Sequence, residues 1–354
     1  MKKRLISLIL ILCLCPSLLI ACAGKKEKAD IFYYTFSDTY ISSVRTALKK
    51  SLSERGLSST DYDGAGSQTT QTEQVRTALT GGAKVLLVNL VNTGSDDAAN
   101  EIVSLAKNAG VPLVFFNREV SDSIVNSYEN CAFVGTRAEE AGILQGEMIG
   151  EYLLAHYEEL DLNKDGRISY ILFKGEEGNN EAIYRTRYSV EKANELLMAA
   201  GKKPLVFYDQ SNKNEYLVDK NGQWSAAAAN EYMTTALTTN NAANNNMIEL
   251  VICNNDGMAE GAISALNAAG YNTGNGSPAI PVFGVDATEA AVALIRDGKM
   301  AGTVRQDADG MANALALLAA NAAEGKALMD GTGELQVDDT VRKIRIPYAK
   351  YFGE

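Results

Sequence analysis

Histidine occurs once in the 354 residues, as His156, and tryptophan once, as Trp224; cysteine occurs five times. With one histidine, in a helical run from Glu147 to Glu159, a multi-histidine zinc centre lacks its ligands. A serine–histidine–aspartate triad is left with a base that reads as a solvent-facing helix residue. No cysteine pair has metal-ligand spacing. Cys13, Cys15 and Cys22 cluster near the amino terminus, and Cys131 and Cys253 sit in separate apolar, strand-like runs, which predicts two buried free thiols. There is no basic excess either. Lys and Arg total 33 against 44 Asp and Glu, a net charge of −11, which argues against nucleic acid or anionic lipid as the main partner.

The amino terminus has a charged start (Lys2, Lys3, Arg4) and an apolar run from Leu5 to Ile20 that is too short for a lasting membrane span. This predicts a secretory signal over residues 1–21. The Leu19-Ile20-Ala21-Cys22 ending resembles a bacterial lipobox, so Cys22 is the expected lipidation site. Residues 22–30 would then be a lipid-anchored tether, holding the protein on the extracytoplasmic side without spanning the membrane.

Asp161-Leu-Asn163-Lys-Asp165-Gly166-Arg167-Ile-Ser169 places oxygen-bearing side chains at loop positions 1, 3, 5 and 9, with glycine at 6. That is how an EF-hand loop supplies most of the oxygens around calcium. Position 12 is Leu172, however, and the loop runs into a strand rather than a helix, so a further carboxylate must come from elsewhere. The other reading is a polar turn before a strand.

The rest of the chain alternates short apolar strands with helices. Strands are expected at 31–36, 85–90, 111–116, 168–173, 204–208, 248–253 and 280–284, and helices at 39–55, 71–79, 97–109, 182–200, 225–238 and 257–268. This pattern predicts an α/β protein of two similar doubly wound parallel-sheet lobes, with a boundary near Val134 to Ala138. In such sheets ligands bind beyond the carboxyl ends of strands. The polar residues there are Asp38, Tyr40, Asn117, Asn255, Asp286 and Gln306, joined by Asn179, Glu181 and Arg185 after strand 168–173. Carboxylates, amides and a guanidinium suit pairs of neighbouring hydroxyls, and Trp224 offers a flat face for a sugar ring. Strand-end Asn and Asp also commonly cap the next helix.

Tyr34-Thr-Phe-Ser-Asp38-Thr-Tyr40, Val111-Pro-Leu-Val-Phe-Phe-Asn117, the loop from Asp161, Ile248-Glu249-Leu-Val-Ile-Cys-Asn-Asn255-Asp256 and Pro281-Val-Phe-Gly-Val-Asp286 resemble the periplasmic glucose/galactose-binding proteins, in order and spacing. The resemblance runs from Ile31 to Tyr348. It implies a type I periplasmic binding fold with a three-segment hinge: 31–136 and 307–341 in the first lobe, 137–306 and 342–354 in the second. It also implies closure on a monosaccharide and delivery to the membrane subunits of an ABC permease, with a chemoreceptor as a further partner.

The likeness further implies that Asp161, Asn163, Asp165, the Arg167 carbonyl, Ser169 and Glu249 hold a structural calcium ion. Ser169 stands where the family has glutamine, which weakens that site. In the cleft Tyr40 replaces phenylalanine, Asn179 histidine, Glu181 aspartate and Gln306 asparagine. These changes keep the hydrogen-bonding mode but leave the identity of the sugar open. No acid/base pair of carboxylates segregates as in a glycosidase, so a binding protein and not an enzyme is expected. A monomer is expected, and a sensor-only receptor and a binder of another monosaccharide remain the alternatives.

Overall fold

The computed structural model describes residues 27–274 and 276–353. The signal segment and Cys22 lie outside the described residues. The first lobe begins β1 (Lys28–Tyr33), α1 (Thr39–Glu54), β2 (Ser58–Asp63), α2 (Gln68–Thr80), β3 (Leu86–Val88), α3 (Asp97–Ala109), β4 (Leu113–Phe116), α4 (Asp122–Asn126) and β5 (Cys131–Gly135). The chain then crosses into α5 (Ala138–Leu160), β6 (Ser169–Lys174), α6 (Asn180–Ala199), β7 (Val206–Phe207), β8 (Leu217–Val218), α7 (Ala226–Thr239), β9 (Leu250–Cys253), α8 (Asp256–Ala268), β10 (Val282–Asp286), α9 (Glu289–Arg296) and β11 (Gly302–Gln306). It returns through α10 (Ala308–Ala323), β12 (Gln336–Val337) and β13 (Lys343–Arg345), and ends on β14 (Tyr348–Tyr351).

The first sheet has the order β12-β13-β5-β4-β3-β1-β2, and the second β14-β11-β10-β9-β6-β7 with β8 also paired to β6. Pairing is parallel except at two edges, where β12 meets β13 and β14 meets β11. The central strands read as unbroken apolar runs because both of their faces are covered. Ile31, Tyr33 and Val114 face one apolar cluster and Phe32, Leu86 and Phe115 the other, and the second sheet divides its side chains in the same way. Cys131 and Cys253 are buried and free, as their apolar surroundings predict.

Two expected boundaries move. Residues 342–345 belong to the first lobe, not the second, because Lys343–Arg345 pair in parallel with Phe133–Gly135; the third crossing is therefore at Ile346–Pro347. Residues 28–30, expected at the end of the 22–30 tether, belong to the first sheet, since Lys28 already pairs with Ser58 and opens β1.

The two long helices of the second lobe approach closely. Gly142, Gly146 and Gly150 recur every four residues on α5, and a Cβ on Gly146 would lie 2.7 Å from the carbonyl oxygen of Ser189 on α6. Gly146→Ala is expected to cost about 1–3 kcal/mol through overpacking, read as a lower denaturant midpoint at unchanged slope.

Candidate functional site

Asp38, Tyr40, Asn117, Asn179, Glu181, Arg185, Trp224, Asn255, Asp286 and Gln306 all line one cleft between the lobes, together with Tyr34 and Arg118. About 370 Å³ of space free of protein atoms lies between these residues, part of it open to solvent. It lies at the carboxyl ends of the strands in both sheets. Three of the polar residues are also helix caps. Asp38 Oδ1 accepts from the Ile41 N–H (2.8 Å), Asn179 Oδ1 from Ala182 (3.1 Å) and Asn255 Oδ1 from Met258 (2.9 Å). Capping fixes each side chain with one atom, and the second atom of each meets a neighbour beside the cleft: Asp38 Oδ2 accepts from the Tyr34 hydroxyl, Asn179 Nδ2 donates to Thr93 Oγ1 and Asn255 Nδ2 to the Trp224 carbonyl. Asn117, Trp224 and Asp286 adopt φ of +62°, +55° and +128°, left-handed backbone that non-glycine residues rarely occupy and that tends to gather at ligand sites.

Arg185 is the hub of the second lobe's wall. It is buried and donates to the Asn254 carbonyl (2.8 Å), Gln306 Oε1 (3.1 Å) and the Tyr348 hydroxyl (2.9 Å), with Asp286 Oδ1 at 3.9 Å. The Tyr348 hydroxyl also accepts from Thr136 Oγ1 (2.9 Å), so Arg185 is tied to the first and third crossings, and through Gln306 to the second. Three buried polar atoms around this hub have no partner: Arg185 Nε and Gln306 Nε2, which donate, and Glu181 Oε2, which accepts. Unpaired buried groups of this kind cost stability unless a ligand satisfies them.

Aromatic groups close the cleft from both sides. Tyr40 is 5% exposed and its hydroxyl donates to Met311 Sδ at 3.8 Å; Trp224 is 9% exposed and lies over Gly175. The lobes touch across the opening. Asn179 Nδ2 donates to Thr93 Oγ1 (3.2 Å), and the Glu119 N–H donates to Glu181 Oε1 (3.3 Å). Tyr34 and Arg118 escape sequence reasoning. Tyr34 lies in the expected strand 31–36 and Arg118 follows Asn117 without a signal of its own, and only their placement shows the Tyr34 hydroxyl donating to Asp38 Oδ2 at 2.6 Å and the Arg118 guanidinium over the Tyr34 ring. Asp256, also at a strand end, turns away from the cleft to accept from Thr303 Oγ1 (2.6 Å) and the Thr288 N–H (2.8 Å).

Burial holds several carboxyls above their ordinary range. Desolvation pushes Asp286 well up against the opposing pull of Arg185, with Asp256 and Asp38 adding to the rise. It raises Glu181, with Arg185 opposing, and it raises Asp256 to about 7. A carboxyl with a raised folded pKa binds protons in the native state at pH values where the unfolded chain has lost them. Its ionisation therefore costs stability as pH rises through that window. The unliganded protein should melt at a higher temperature at pH 5 than at pH 7, while affinity for a hydroxyl-donating ligand falls on the same acidification. Paired calorimetric scans and titrations at the two pH values check this; curves moving together would refute it.

The loop from Asp161 is drawn tight by hydrogen bonds. Asp161 accepts from the N–H groups of Asp165 (3.1 Å) and Gly166 (3.0 Å), and Asp165 Oδ1 from Arg167 (2.9 Å). Glu249 reaches in from the start of β9, accepting from the Asn163 N–H (2.8 Å) and from the Ser169 N–H (2.8 Å) and hydroxyl (3.0 Å). The one Ser169 hydroxyl hydrogen is shared between Glu249 and the Met247 carbonyl (2.7 Å). The donors are all oxygens, as a hard cation requires. Among the described residues, though, no three Asp, Glu, His or Cys side chains gather closely enough to hold a metal alone. An ion here would depend on Asn163, the Arg167 carbonyl and water as well.

Residues 30–327 match the family model described as periplasmic binding protein domain. The chain is 35% identical over 323 residues, 91% of its length and 88% of the relative's, to the D-galactose/methyl-galactoside binding periplasmic protein MglB of Haemophilus influenzae. Among solved structures it resembles an ABC transporter solute binding protein from Clostridium phytofermentans with bound β-D-glucose (TM-score 0.72, 18% identity, covering 92% of this chain and 94% of that one). It also resembles one from Bacillus halodurans with bound myo-inositol (TM-score 0.69, 22% identity, 93% and 95%). The chain belongs to the periplasmic binding protein family and has its two-lobed type I fold.

Proposed function

We propose that the protein binds an aldohexose, galactose or glucose, in the interlobe cleft and delivers it to the membrane subunits of an ABC importer. The observation that carries this reading is the set of unpaired buried atoms, two donors and one acceptor, around a cavity with Tyr40 and Trp224 among its walls. A hydroxyl group both donates and accepts, so a ring of hydroxyls satisfies such a set where an apolar or purely anionic ligand does not. Tyr40 comes from the first lobe and Trp224 from the second, and clamping opposite ring faces would couple binding to closure. The galactose-binding name of the Haemophilus relative supports the hexose, and the inositol-bound neighbour keeps a second cyclic polyol in view. The cleft serves recognition, not bond cleavage. The same closed form would serve a chemoreceptor or a sensor-only role, and Cys22 would carry the lipid that holds the protein to the membrane.

Isothermal titration with glucose, galactose, xylose, ribose and myo-inositol tests the reading. Saturable binding of glucose or galactose in preference to the others supports it. Selective binding of another member means that Asn179, Glu181 and Gln306 have retuned the cleft, and silence across the panel overturns the sugar assignment. For the Asp161 loop the proposal is a structural calcium ion held by Asp161, Asn163, Asp165, the Arg167 carbonyl, Ser169 and Glu249, in which the ion would tie the loop to β9. Millimolar calcium is expected to raise the melting temperature over an EDTA-treated sample, with a smaller gain in Glu249→Gln; no difference would refute the site.

A further inference from the structure

At the cleft mouth one contact chain passes from lobe to lobe through Glu176, which does not line the cleft. Arg118 directly follows the cleft residue Asn117, and it is 4% exposed. Its Nη1 is anchored within the first lobe, donating to the carbonyls of Leu90 (3.1 Å) and Val91 (2.5 Å). The flat of the guanidinium lies 4.5 Å from the Tyr34 ring centroid, and Tyr34 in turn orients Asp38. The remaining nitrogen, Nη2, leaves the first lobe altogether and pairs with Glu176 Oε2 of the second. Glu176 follows β6, and the same oxygen accepts from the Trp224 indole N–H at 3.5 Å. One contact path therefore runs Asp38, Tyr34, Arg118, Glu176, Trp224, and it crosses between lobes only at the ion pair.

We propose that Arg118 and Glu176 form a closing latch, an interlobe ion pair that stabilises the closed form and sets how long the ligand stays, as distinct from how fast it enters. The physical reason lies in the anchoring. Arg118 is held on three sides by its own lobe, so little side-chain freedom remains to be lost when Glu176 arrives. Exposed pairs between two free side chains lose more on meeting and contribute little. Glu176 is itself largely shielded, at 22% side-chain exposure against 5% for Arg118, so salt screens the pair less than a surface bridge. Opening the lobes separates the charges and removes the carboxylate's cation, whereas an approaching ligand meets lobes in which the pair is not yet made. The latch therefore acts on opening. Glu176 does not line the cleft, so it is a positioning residue, acting through Arg118 and Trp224.

The test uses Glu176→Gln, which leaves every bond of Arg118 within its own lobe untouched, along with Arg118→Met and the double variant. Dissociation is followed by stopped flow with the sugar that titrates, and this arm rests on the hexose reading above. Each single variant is expected to release ligand about tenfold faster, and the association rate stays within twofold of wild type in Glu176→Gln, whose side chain does not line the cleft. The double variant should be no faster than the singles, as for two halves of one interaction. Unchanged release in Glu176→Gln, or effects that multiply in the double variant, would overturn the latch.

A second arm needs no sugar. The Glu119 amide donates across the cleft to Glu181, so its hydrogen exchange in unliganded protein reports closure. Exchange at least fivefold faster in Glu176→Gln than in wild type supports the latch; equal exchange overturns it. A protein that binds no hexose but shows this difference would sink the sugar reading and keep the latch.

Discussion

Replacing Asp286 with alanine is expected to abolish measurable sugar binding and leave the unliganded protein as stable as wild type or more so. The two halves of this expectation have one cause. The Asp286 carboxylate is buried at the end of β10, where desolvation pushes its pKa well up and Arg185, its opposing charge, stands 3.9 Å away. An ionised carboxylate in that position costs the empty protein free energy. Its removal does not strand Arg185, which keeps the Asn254 carbonyl, Gln306 Oε1 and the Tyr348 hydroxyl. In the proposed pose the same carboxylate accepts two sugar hydroxyls, each such bond to a charged group contributing about 1.5–3 kcal/mol. Losing about 3 kcal/mol or more weakens binding by roughly 100-fold or beyond. Titration calorimetry and a melting curve on one preparation decide it. Near-native affinity refutes the pose, and a collapsed melting transition refutes the view that the residue serves the ligand at the expense of the fold.

One methyl group is expected to disturb both the fold and the cleft. Gly175 follows β6 directly beneath the indole, and a Cβ there would lie 2.0 Å from Cδ2 of Trp224. The ring has little freedom to yield, since its N–H reaches Glu176, its carbonyl accepts from Asn255 Nδ2 (3.3 Å) and its backbone is left-handed. Gly175→Ala should displace the indole from the cleft wall, cost about 1–3 kcal/mol of stability and weaken sugar binding by about 10- to 100-fold. Tryptophan emission of the unliganded protein should shift as well, and with a single tryptophan the signal has one source. If the loss acts through the ring, Gly175→Ala added to Trp224→Ala should cost no further affinity. Native emission with native affinity would show that the wall rearranges without consequence.

The positions around the cleft were legible in the sequence because the parallel-sheet rule needs only strand ends, and strands such as Leu250–Cys253 are apolar enough to find unaided. What escaped was polar sequence performing buried work. β2 reads Ser-Ser-Thr-Asp-Tyr-Asp, an edge strand recognised by its ladder with β1 and not by its side chains. Lys343–Arg345 looks like solvated charge, yet Lys343 is 2% exposed and bonded to Glu119 and Asp122, and that burial displaced the third crossing. Arg118 was hidden by the same ambiguity: a cation after a strand is usually solvated, and only the tertiary positions of Tyr34 and Glu176 make it otherwise. The ligand itself was not legible: against the family that the sequence resembles, Asn179, Glu181 and Gln306 all keep hydrogen-bonding capacity, while Glu181 and Gln306 are longer by a methylene.

The direction of the outermost segments has a practical consequence. β1 runs toward the cleft from Lys28, roughly 20 Å away at the strand rise, and antiparallel β14 runs away from it toward Gly353. The two ends of the described chain therefore point away from the mouth and ride on different lobes. Fluorophores or tethers attached there would leave ligand access clear, and the separation between them would be a ruler for hinge angle that requires no substitution inside the protein.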